Sequence, residues 1–219
     1  GNFTRSSTTL NSGTSVLVMG ATANLNVNPT FNGANQLYSL TVNVSTVTTL
    51  TGNCYYTGTC TINGEIVATS NLLQAPVASV LSLAGSGTLS GVGQTGFASS
   101  FAGVTLTINF TGTWSSTGVI YLGPGNSSYA TVQLLASLTI SGAMPSCRIG
   151  NDAGGTGAVF DCNGFTFTTT RFDNPLVFTA NRGAKIDLSV AGSAIVCNGP
   201  ISMGDIAYWT FGAGTITMS

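Results

Sequence analysis

The sequence predicts an all-β fold, a β-sandwich of jelly-roll or Greek-key type, on three observations. Apolar and polar residues alternate with a period of two along much of the chain. Gly and Asn turn signals interrupt that alternation at short intervals. The polar material is uncharged: 33 Thr, 24 Ser, 18 Asn and 29 Gly stand beside only 5 Lys and Arg and 6 Asp and Glu in 219 residues. An ordinary soluble domain carries about 25% charged residues, and this one carries 5%. β-branched Thr favours extended backbone over helix.

Taken in order, the first strand is the apolar run Val16 to Met19 between Gly13 and Gly20. Alternation then marks Ala23 to Val27, Leu40 to Val44, Val104 to Phe110 and Phe165 to Phe167, whose apolar side chains would all fall on one face. Further strands are expected at Thr61 to Ala68, Val119 to Leu122, Thr131 to Ile140, Ala158 to Asp161 and Leu176 to Thr179. The last four are Ile186 to Val190, Ala194 to Cys197, Tyr208 to Phe211 and Thr215 to Met218. Only Asn71 to Ala84 fits a helix, with Leu72, Leu73, Val77, Val80, Leu81 and Ala84 near one side and Pro76 early enough to be tolerated. Asn32-Gly33, Asn63-Gly64, Asn163-Gly164 and Asn198-Gly199 supply the positive φ of hairpin turns, and Gly123-Pro124-Gly125-Asn126 is a further breaker.

Short strands at even spacing point to one sandwich domain over residues 21–219, preceded by an arm over 1–20. In that arm Val16, Leu17, Val18 and Met19 form either the first strand of their own domain or a strand donated to the sheet of a neighbouring subunit. The rival architecture is a parallel β-solenoid over Thr131 to Met218, where Cys-Asn-Gly occurs at Cys162 and again at Cys197.

Charge is also unevenly placed. Arg5 and Glu65 are the only charged residues before Arg148, and none lies between Ile66 and Cys147. A surface of this kind needs something other than charge to keep it hydrated or covered, and two candidates are visible, N-linked glycans and further copies of the chain. The acceptor sequons Asn2-Phe3-Thr4, Asn43-Val44-Ser45, Asn109-Phe110-Thr111 and Asn126-Ser127-Ser128 all fall in the charge-poor part. Nucleic acid is not expected as a partner, because no block of Lys or Arg exists. A membrane span is not expected either, since the densest apolar stretch, Leu72 to Ala84, is broken by Gln74, Pro76, Ser79 and Ser82. The start at Gly1, without Met, basic n-region or apolar h-region, is what a mature chain would look like after removal of a targeting segment, and a recombinant chain would look the same.

Catalytic chemistry finds few residues. With His absent, Ser-His-Asp and Cys-His arrangements are impossible within the chain. Asp152, Asp161, Asp173, Asp187 and Asp205 could serve paired-carboxylate hydrolysis, but no local motif joins any two. Gly150 to Gly157 resembles a Gly/Asp calcium repeat only once and has Val159 where an Asp is needed. No cofactor-binding, metal-binding or catalytic set emerges. Tyr55, Tyr56, Tyr208 and Trp209 could either stack on sugars or pack inside. Lys185 is expected to pair with Asp187 or Asp173. The spacing of Cys54 with Cys60 and of Cys147 with Cys162 reads as two disulfide staples of an oxidising compartment, with a Cys162 to Cys197 bridge as the alternative to the second. The odd thiol reads as a small buried apolar residue.

The joint layout of the Thr14 to Met19 arm, the four sequons and the strand pattern resembles subunits of archaeal extracellular filaments built by donor-strand complementation, the threads and bundling pili. That resemblance implies a glycosylated β-sandwich head completed by the next subunit. The expectation is therefore a non-catalytic structural subunit of an extracellular filament or surface assembly. Two alternatives are a viral capsid or receptor-binding fibre protein on a virion surface, and a secreted carbohydrate-binding module.

Overall fold

Each strand of this chain is too short to bury a face alone, so the architecture depends on what covers it. The computed structural model describes residues 2–4, 10–11, 13–27, 35–69, 73–74, 80–91, 95–97, 104–118, 120–122, 130–142, 147–149, 159–173, 185–202 and 209–219. Strands of 2 to 7 residues recur in a fixed cycle, one to each of three walls. The first wall is a ten-stranded sheet running from Phe3–Thr4 through Ala23–Asn26, Val47–Leu50 and Glu65–Ala68 to Thr215–Met218. The second is a nine-stranded sheet from Val16–Met19 to Trp209–Phe211. The third is a seven-stranded sheet from Cys54–Tyr55 to Ile201–Ser202. The pair Leu10–Asn11 and Asn35–Gln36 extends this third wall, since a parallel bridge joins Leu37 to Tyr56.

Every strand pairing among the described residues is parallel, and every strand pairs with the one three places on in the chain. The fold is thus a parallel β-solenoid, and the expected sandwich is overturned. A sandwich of jelly-roll or Greek-key type needs antiparallel neighbours, and none occurs among the described residues. The solenoid is also longer than the rival reading placed it, because the same ladder runs from Phe3 to Met218 and not only from Thr131. Successive courses are offset by as few as 18 residues, Val47 to Glu65, and as many as 29, Leu138 to Phe167. The Cys-Asn-Gly repeat is not the course length: Cys197 lies opposite Thr169, not Cys162.

The supposed helix over Asn71 to Ala84 is also corrected. Leu73–Gln74 is a strand of the third wall and Val80–Gly85 a strand of the second, so a compatible 3.6-residue pattern lost to pairing with the adjacent courses. The Asn-Gly pairs form no hairpins, and of the described ones Asn63-Gly64 and Asn198-Gly199 lack the expected positive φ. Asn163 and Gly164 do have positive φ, 48° and 83°, yet they turn the chain from one wall to the next. Asn63-Gly64 likewise joins Thr59–Ile62 of the second wall to Glu65–Ala68 of the first. The predicted strand over Leu176 to Thr179 and the Asn32-Gly33 turn lie outside the described residues.

Corners stack as closely as strands. Thr88 N–H donates to the Gly64 carbonyl at 2.7 Å and Thr113 N–H to the Gly87 carbonyl at 2.9 Å. A methyl group on Gly87 would collide with the Gly64 carbonyl, 2.0 Å away, which is backbone and cannot swing aside. The core is the channel between the walls. Alternate residues point inward, so the burial pattern within Val47–Leu50, Glu65–Ala68 and Thr166–Thr169 is half-buried then buried, repeated. In the first wall the inward column Ile66, Leu89, Trp114 and Ile140 is continuous in register. Phe160 of the second wall meets Phe167 of the first edge to face, with ring centroids 5.0 Å apart.

Because Trp114 fills that column with no exposed surface, Trp114→Ala is expected to cost about 3 to 5 kcal/mol of unfolding free energy in urea titration. Thr113→Ala, one residue away on the outer side, should stay within about 0.5 kcal/mol. Equal effects at the two positions would contradict the inward and outward assignment.

Candidate functional site

Inside the channel lie five cysteines and Tyr56, with Tyr55 buried on the other side of its strand. Cys54, Cys60, Cys147, Cys162 and Cys197 are all free thiols with no exposed surface. The expected Cys54–Cys60 and Cys147–Cys162 disulfides are therefore corrected: Cys54 lies on the third wall and Cys60 on the second, each in its own inward column. Burial pushes the Cys54 thiol from its usual value near 9.0 up to about 12 and raises Cys60 well above that usual value, with Cys54 adding to it. Cys162 is pushed up to about 12 by burial first and then by the Asp161 and Asp187 carboxylates. Such thiols stay protonated and unreactive at neutral pH. Tyr55 and Tyr56 are buried too, at 4% and 0% exposure, so they do not form a sugar-stacking platform. Tyr208 lies outside the described residues, and Trp209 is buried against Phe211, stacked at 5.6 Å.

The main cluster of ionisable groups is on the outer side of the second wall. Gln133, Asp161 and Asp187 occupy one outward column on successive strands. Gln133 Nε2 donates to Asp161 Oδ2 at 2.8 Å, and Asn163 N–H donates to Asp161 Oδ1 at 2.8 Å. The Lys185 ammonium donates to Asp187 Oδ2 at 2.9 Å, while the Ser189 hydroxyl and N–H both donate to Asp187 Oδ1 at 2.6 and 3.0 Å. The Lys185 pairing expected from sequence is thus present with Asp187. At 38% and 19% exposure it contributes under about 1 kcal/mol. Partial burial alone would raise the Asp187 carboxyl, but the Ser189 and Lys185 donors outweigh it and hold the group below the usual carboxylate range. Every carboxylate oxygen of the pair is already engaged by a donor. The arrangement fastens turns to strand ends. Among the described residues no group of three or more His, Cys, Asp or Glu could hold a metal ion.

The sequons divide by position. Asn2 is exposed, and its Oδ1 accepts the Asn24 N–H at 3.0 Å at the margin of the first course. Asn43 is exposed on a corner beside Val44, which is 71% exposed, and Ser45, whose φ is 61°. Asn109 is exposed on the outer side of the second wall, in Val104–Phe110. Asn126 lies outside the described residues. Val16, Leu17, Val18 and Met19 pair in parallel with Ser39, Leu40, Thr41 and Val42 of their own chain, as the outermost strand of the second wall. Val16 and Val18 remain 52% and 54% exposed, and a recess of ≈ 400 Å³ between Phe3, Leu17 and Met19 opens beside them.

Sequence reading missed the outward columns of the first wall. Thr88 and Ser90 stack on Thr113 and Ser115, and then on Thr139 and Ser141. The signal was present as Thr-x-Ser recurring at 88, 113 and 139, but its spacing of 25 and then 26 residues is invisible without the course length. Glu65, the only charged residue on the strands of this wall, accepts the Ser90 hydroxyl at 2.9 Å. Among the described residues no helix is long and apolar enough to cross a membrane. No protein-family model matches this chain, and no curated protein or solved structure matches it.

Two outcomes follow from the buried thiols. Denatured without reductant, the chain should release five thiols to a thiol-specific reagent, whereas the folded chain should release almost none within minutes. Disulfides would lower the first count. Stability should also fall in alkali: a raised folded-state pKa stabilises fully below the unfolded value near 9.0 and is lost as pH climbs toward about 12. Each such thiol accounts for up to about 4 kcal/mol over that window. Urea midpoints that stay constant from pH 8 to pH 11 would refute this.

Proposed function

We propose that this chain is a non-catalytic structural subunit of an extracellular surface assembly, a stiff rod glycosylated at exposed sequons. The observation that carries this reading is the ten-stranded wall, continuous from Phe3–Thr4 to Thr215–Met218 and bearing a single charged residue, Glu65. An isolated soluble rod normally guards so long a surface with charge. Ten strands at about 4.8 Å give a shaft roughly 45 Å long, held by backbone ladders rather than by a hinge. The burial of the thiols inside the channel, where they stay protonated, supports the reading. The exposed positions of Asn43 and Asn109 support attachment of glycans outside the channel. The extracellular location rests on these sequons and on the sequence composition, not on disulfides.

Expression in a host that attaches N-glycans should give added mass at Asn43 and Asn109, read by peptide mass spectrometry. The same chain made without glycans should form ordered assemblies visible by negative-stain imaging as its concentration rises. A glycan-free chain that stays dispersed and monomeric at high concentration would remove the proposal.

A further inference from the structure

We infer that the outer side of the ten-stranded wall is the surface on which a second copy of this chain docks, face to face and antiparallel. The inference rests on the assembly reading above and names the partner and the face. Its first support is segregation. From Val47–Leu50 to Thr215–Met218 the strands of this wall carry no sequon, while Asn43 sits on a corner and Asn109 on the second wall. The charged column Asp161 and Asp187 is on the second wall as well. Sequons and charge thus avoid the middle of this face: Glu65 is the one charged residue on its strands, and the sequon Asn2, whose Oδ1 accepts the Asn24 N–H, stands at its outermost course.

Shape and area supply the second support. Outward residues of this wall are short, chiefly Thr, Ser, Val and Ala, so two such faces can approach to the roughly 10 Å spacing of stacked sheets. The nine strands from Ala23–Asn26 to Thr215–Met218 present about 43 by 13 Å, roughly 560 Å² per copy from strand spacing and rise. The total of about 1,100 Å² lies just under the usual range of specific interfaces and fits a weak pair that larger assemblies reinforce.

Chemical order along the wall fixes the orientation. Val47 and Val67 stand near one end and Ala194 and Val196 near the other, with the Thr and Ser columns between them. A two-fold axis through the strand Thr113–Ser116 places the Val47 course of each copy over the Ala194 course of its partner. It also sets hydroxyl column on hydroxyl column at the centre. Parallel stacking would instead place Glu65 near the Glu65 of the other copy.

Sedimentation velocity of the full, glycan-free chain over a concentration series tests this. The wild-type chain and Thr105→Arg, which alters an exposed position on the second wall, should form a concentration-dependent dimer. Thr113→Arg with Thr139→Arg should weaken it at least tenfold while circular dichroism remains unchanged. As a second readout, Thr113→Cys should give a disulfide-linked dimer when diamide takes up the two electrons and two protons of the paired thiols, whereas Thr105→Cys should not. The native thiols have no exposed surface to compete. Association that survives the double Arg variant would overturn the docking face and leave the assembly reading standing. A wild-type chain monomeric at every concentration would overturn both. A monomer that depresses the freezing point of its solution without melting-point change would assign the hydroxyl columns to ordered water and also overturn the inference.

Discussion

Everything in this molecule depends on one requirement: each course must be covered by the next, through parallel backbone hydrogen bonds formed between residues far apart in sequence. No strand here is paired by a local hairpin among the described residues. A strand such as Cys54–Tyr55 is too short to be stable alone. It exists because Leu73–Gln74 lies against it, and that strand exists because Thr95–Phe97 follows. Tolerance for length is accordingly confined to the turns, where course offsets range between 18 and 29 residues (Val47 to Glu65, Leu138 to Phe167) while strand register is kept.

The same requirement accounts for much of the composition. An in-register parallel column repeats a chemical group every 4.8 Å or so, and like charges at that spacing repel. Hydroxyls and small apolar groups carry no such penalty. Where two carboxylates do stack, at Asp161 and Asp187, each is surrounded by donors from Gln133, Asn163, Lys185 and Ser189. The charge-poor stretch from Ile66 to Cys147 fits this constraint of the ladder. Inside the channel the pressure is different. Inward columns need compact apolar groups, and five of those positions are cysteines that act as such.

This explains which features were legible in the sequence. Period-two alternation located the strands Ala23–Asn26 and Val104–Phe110 because one-sided burial leaves that mark in any β fold, while Val16–Met19 stood out as an apolar run between glycines. It could not tell antiparallel from parallel neighbours, since alternation records which side is buried and not which strand lies alongside. Asn163-Gly164 was legible as a left-handed turn, but such a turn serves a corner as well as a hairpin. Asn71 to Ala84 misled because its apolar residues satisfy a helical pattern, while the ladder that recruits Val80–Gly85 to Val104–Phe110 leaves no local trace. The cysteines misled through spacing. Cys54 and Cys60 are six positions apart in sequence, yet the chain turns a corner between them and places each in a different wall.

The sequon positions were visible in the sequence, but the outward columns and their relation to the sequons were not, because both are properties of the walls. A solenoid sorts its surface by phase: a residue's place within the course decides which wall it faces, whatever its distance along the chain. Asn109 and Thr113 are four positions apart, yet Asn109 faces out from the second wall and Thr113 from the first. One chain can thus set different residues on different sides and keep short hydroxyl side chains in register along one of them. Segregation of that kind follows from the geometry of the coil alone, and it converts a composition with almost no charge into surfaces of distinct character.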